Sequence, residues 1–70
     1  MVFEDYTVIL YRQLDGSFVA EIPCLPACYA LATSRSEALA ELRGVFGMVA
    51  DEYRSKKLEL PHDTTEIVNG

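Results

Sequence analysis

The chain has 70 residues, half of them apolar, and eleven acids against six bases leave a net charge of −5. That length holds one domain, residues 1–70, whose core removes only about 60% of the unfolded surface from water; chains this small often lean on metals, disulfides or partner subunits, so a homodimer or homotetramer is expected. The acid surplus argues against direct nucleic-acid binding, which needs Lys and Arg to displace counterions, and suits a basic protein partner instead.

The opening residues, MVFEDYTVIL, place two acids where a signal peptide carries bases. No apolar run approaches the ~20 residues that span a bilayer. A cytoplasmic protein without a membrane contact is the expectation. Tyr6–Leu14 is rich in β-branched and aromatic residues and predicts a strand. Val8 and Leu10 fall on one face, Ile9 and Tyr11 on the other, so cover on both sides is expected. Asp15-Gly16 signals a hairpin turn, because glycine accepts the positive φ required. In Ser17–Ile22, Phe18, Ala20 and Ile22 share a face and Glu21 takes the other. Pro23 and Pro26 end this strand, and Tyr29–Thr33 reads as a third.

Ser34-Arg35-Ser36-Glu37 fits a capping box, in which the serine hydroxyl takes a helix-start amide and the glutamate reaches back. Behind it Ala38, Leu39, Leu42, Val45, Phe46, Val49 and Tyr53 recur at helical spacing, with Lys56 and Lys57 at the dipole's negative end. Gly44 and Gly47 fall opposite this stripe, beside Ala40 and Met48. They fit either close approach by another chain or tolerance on a solvated face. Thr64–Val68 is β-prone and would make a fourth strand or a loose tail. The expected fold is α+β: a three- or four-stranded antiparallel sheet with one helix packed on a face, in β-β-β-α-β order.

Chemistry finds little support. Cys24 and Cys28, with His62 as the other candidate ligand, fall short of the four ligands of a structural zinc site. A disulfide between them would close a very small loop and is disfavoured in a reducing compartment. A nucleophilic thiol needs a nearby base and an orienting group that the sequence does not offer. Cys28 fits better as a small apolar side chain at a proline corner. Asp5, Asp15, Glu21 and Asp51 have no spacing that suggests a metal site. No phosphate-cradling glycine motif or nucleophile elbow occurs. No enzyme and no cofactor are expected.

The segment Phe18-Val19-Ala20, then Pro23, Leu25, Pro26 and Cys28, followed by Glu37-Ala38-Leu39 at a helix start and Leu60-Pro61 after it, resembles the HicB-type antitoxin family over about Tyr6 to Pro61. Ser34 stands where that pattern has threonine, while Ala27 and Ala32 replace two of its glycines. Alanine would be strained there if those positions need positive φ. The resemblance implies a partly degraded ribonuclease H-like sheet. It also implies a non-catalytic protein that binds and blocks a small, basic, RNA-cleaving toxin of the HicA type. Many members add a C-terminal DNA-binding module; a stand-alone form without one is expected here, so operator binding is not carried over.

Charge and smoothness, rather than spacing, suggest the partner surface: Glu21, Glu37, Glu41, Asp51 and Glu52 for steering, with Gly44, Gly47 and Met48 as an apolar patch for close approach or self-association. The alternative is a solitary homo-oligomeric binding module of the same fold with an unrelated protein or small-ligand partner.

Overall fold

A computed structural model describes residues 1–68. Among them are three strands and one α-helix: β1 (Ile9–Arg12), β2 (Phe18–Glu21), β3 (Tyr29–Ala32) and α1 (Arg35–Ser55). The strands form one antiparallel sheet with β2 in the centre, and α1 lies across β3 and β2. This is the α+β architecture expected, with three strands rather than four.

The register sets the two faces. Leu10, Ala20 and Ala30 align across the sheet, as do Arg12, Phe18 and Ala32. On this side alanines let α1 settle close, and Ala38, Leu42 and Phe46 of the helix are buried against Ala20, Ile22, Leu25, Cys28, Ala30 and Ala32. Leu39, Val45 and Val49 flank that core, so the helical stripe read from the sequence is the packed one. The hairpin closes through Gln13 N to Ser17 O at 2.8 Å, with Gly16 at φ +91°. The Asp15 carboxylate accepts from the Ser17 amide and hydroxyl at 2.9 and 2.6 Å.

The proline corner is two successive turns, Leu25 N to Ile22 O at 3.1 Å and Cys28 N to Leu25 O at 3.3 Å. They drive Leu25 and Cys28 into the core. Burial pushes the Cys28 thiol up, away from the thiolate a nucleophile requires. Ala27 stands at φ +60°, in the left-handed region. The feared strain is therefore present at Ala27, whereas Ala32 lies inside β3 without it.

Ser34 caps α1, its hydroxyl accepting from Glu37 N at 3.2 Å. Only this half of the capping box forms, because the Glu37 carboxylate turns to the Thr33 hydroxyl at 3.3 Å. At the other end Leu58 N bonds Tyr53 O at 2.8 Å and Lys57 N bonds Arg54 O at 3.0 Å, with Lys57 at φ +57°. That pairing is a Schellman motif with lysine where glycine is usual.

Thr64–Val68 forms no strand, which corrects the β-β-β-α-β order to β-β-β-α among the described residues. Instead residues 60–65 are tied down by polar contacts. The Tyr6 hydroxyl donates to Pro61 O at 2.6 Å, the Cys24 thiol to His62 O at 3.2 Å, and Thr7 N to the Asp63 carboxylate at 2.7 Å. A second Asp63 oxygen accepts from Thr65 N at 3.0 Å.

The amides of Thr65 and Thr7 hold the Asp63 carboxyl down to about 2, against an ordinary 3.8. A depressed carboxyl stabilises the folded form above its unfolded pKa, and that contribution drains away as pH falls through the folded value. The tail is therefore expected to let go between about pH 4 and pH 2. Amide chemical shifts of Thr7 and Thr65 should titrate together in that window, and Asp63→Asn should abolish the titration. Shifts that stay flat to pH 2 in the parent chain would contradict the latch.

Candidate protein-binding surface

On α1, Glu37, Glu41, Gly44, Met48, Asp51 and Glu52 recur at i, i+4, i+7, i+11, i+14 and i+15. This spacing lines them up along the face turned away from the sheet, and all are exposed. Gly47 borders the line. A Cβ at Gly44 or Gly47 would meet nothing within 4 Å, so packing inside the chain does not demand these glycines. They leave a bare backbone shelf beside Met48, which is 71% exposed.

Charge is uneven along the stripe. Asp51 pairs with Arg54 at 2.8 Å and Glu52 with Lys56 at 2.9 Å, both in solvent, where such pairs contribute little to stability. The Glu52 carboxylate raises the Lys56 ammonium. Glu37 and Glu41 form no ion pair among the described residues, so negative potential concentrates toward the helix N-terminal half. Arg43 is drawn off the stripe. It pairs with Glu4 at 2.7 Å and lies 4.5 Å over the Phe3 ring, pinning the N-terminal turn to α1. That hydrogen bond holds Glu4 below the usual carboxylate range.

Glu21 is not part of this surface. It lies on the far side of the sheet, aligned with Ile9 and Tyr29. The sequence reading grouped it with the helix acids by charge, whereas strand alternation sends it to the opposite face. At the C-terminal end of the stripe, Pro26, Ala27, Val49, Tyr53 and Leu58 line an open cleft of about 370 Å³ rimmed by Glu52 and Lys56. No three His, Cys, Asp or Glu side chains converge as metal ligands among the described residues. No described helix is long and apolar enough to cross a membrane.

The chain matches a UPF0150 protein of Synechocystis sp. at 33% identity over 63 residues, covering 90% of this chain and 86% of that protein. It belongs to the UPF0150 family. A second UPF0150 protein, from Thermoplasma acidophilum, is 28% identical over 63 residues, covering 90% of this chain and 91% of its own length. These matches run nearly the full length of both relatives. No family profile and no solved structure matches the chain.

Proposed function

We propose that this UPF0150 protein is a non-catalytic inhibitor of the HicB type. It lays the outer stripe of α1 on a small, basic, RNA-cleaving toxin of the HicA type and covers the surface that would hold RNA. The exposed acidic stripe with its bare glycine shelf carries this reading. The HicB-like character of UPF0150 proteins supports it. Glu37 and Glu41 attract the basic partner over a distance and set its orientation. Gly44 and Gly47 admit a side chain or strand edge close to the helix backbone, and Met48 supplies an adaptable apolar contact. The inhibitor breaks no bonds, needs no cofactor and touches no nucleic acid itself.

The test is an RNA-cleavage assay with a small basic ribonuclease captured by this chain in a pull-down. An equimolar amount of the chain is expected to stop cleavage. The double variant Glu37→Lys/Glu41→Lys should slow association by about ten- to a hundred-fold and flatten its salt dependence. Undiminished cleavage with the parent chain in excess would overturn the proposal.

A further inference from the structure

The face of the sheet turned away from α1 has no helix or strand over it among the described residues. Strand register arranges this face in rows. Tyr11, Val19 and Leu31 form the middle row; Ile9, Glu21 and Tyr29 form the next. On the other side, beyond the laddered pairs, lie Gln13, Ser17 and Thr33, all polar. An apolar centre bordered by polar residues is how interfaces are built.

The relief of the middle row is large, small, large. Val19 on the central strand is only 7% exposed although no described helix or strand lies over it, because Tyr11 and Leu31 stand on either side. They make ridges along the two outer strands and leave a groove along β2. Tyr11, Tyr29 and Leu31 are 46%, 61% and 55% exposed. With Ile9, they present roughly 400 Å² of apolar surface, in the range of the largest and often functional patch on a monomer.

We propose that a second copy of this chain covers this face, giving a dimer with the two sheets back to back and the helices outermost. Three observations select this occupant. A chain of net charge −5 repels its own kind, so copies must meet where charge is least, and Glu21 is the one ionisable carboxylate in the three rows. A basic partner is drawn instead to the acidic stripe on the opposite side of the molecule. The ridge-and-groove relief is also its own complement. A two-fold turn lays the ridge of one sheet in the groove of the other, and aligned sheets pack this way about 10 Å apart. The apolar patch is about half of the ~800 Å² per partner of a standard interface, and the flanking polar row and hairpin tip supply the remainder.

This proposal is independent of the inhibitor reading, because the dimer leaves both acidic stripes facing outward. Sedimentation equilibrium on the whole chain tests it. The parent chain is expected at twice its monomer mass, and Leu31→Glu should raise the dissociation constant by about 100-fold or more. Leu31 is exposed in the single chain, and an unchanged far-UV circular dichroism spectrum will confirm that the variant folds. Glu41→Lys, on the helix, should leave the dimer intact. Tyr29→Lys, a second change on the sheet face, should weaken the dimer in the same direction as Leu31→Glu. A parent chain that stays monomeric up to about 1 mM would overturn the proposal. So would a dimer indifferent to both sheet changes, or one dissolved by Glu41→Lys instead.

Discussion

Leu42→Ala is expected to destabilise the domain by about 3–4 kcal/mol. Leu42 is fully buried at the middle of α1. Opposite it the sheet offers Ala20, Ala30 and Ala32. These have no side-chain reach with which to fill the space left behind, so the cavity stays largely open and the cost falls well above the lower end of the usual range of about 2–5 kcal/mol. A 70-residue domain has about 4–10 kcal/mol in total, so this single change leaves a marginal fold. Urea titration followed by far-UV circular dichroism should show the midpoint collapse at nearly constant slope. Met48→Ala on the outer face should move the midpoint by no more than about 0.5 kcal/mol. Equal losses at the two positions would mean that the helix does not pack as described.

Glycine at position 27 or 57 should work in the opposite direction. Ala27 and Lys57 sit at φ +60° and +57°. The left-handed region costs a side-chain-bearing residue about 1–2 kcal/mol, and glycine returns part of that through its freer unfolded chain. A net gain of about 0.5–1 kcal/mol per site follows. Ala27→Gly is the cleaner case, because it changes nothing but the backbone's freedom. Lys57→Gly also removes a cation from the helix's negative end, which offsets a few tenths of a kcal/mol. A melting point raised by about 4–8 °C per kcal/mol is the readout. A melting point that drops with Ala27→Gly would refute the strain. Ala27 occupies a place where the HicB pattern has glycine, so the substitution restores the residue that this backbone favours.

Much of the fold was legible because local and global signals agreed. The Asp15-Gly16 turn, the alternation of Phe18, Ala20 and Ile22, and the stripe from Ala38 to Val49 each have one physical reading, and each holds, while Tyr53 at the stripe's end lines the open cleft instead. The misses share a cause. β1 was expected from Tyr6, yet the ladder begins at Ile9. The Thr7 amide is taken by Asp63, and Tyr6 turns its ring into the core while its hydroxyl meets Pro61. A contact between residues so far apart in the chain leaves no trace in local composition. Thr64–Val68 has β propensity but no neighbouring strand, and propensity without a ladder partner does not make a strand. The uncovered sheet face did have a signal: Tyr29-Ala30-Leu31-Ala32 alternates large and small. Read by size rather than polarity, that pattern puts the alanines under the helix and the large side chains outside. The stripe on α1 was legible residue by residue, except that pooling Glu21 by charge ignored the pleat.

The junction of Tyr6 with Pro61 also has a consequence in time. During synthesis the buried core residues, Tyr6 to Phe46, are all made before Pro61 is added. Until then the Tyr6 hydroxyl lacks its carbonyl acceptor and is left to water. The clasp between residues 6 and 61 is thus a late event in the making of the domain, closing only after the helix it spans has been built.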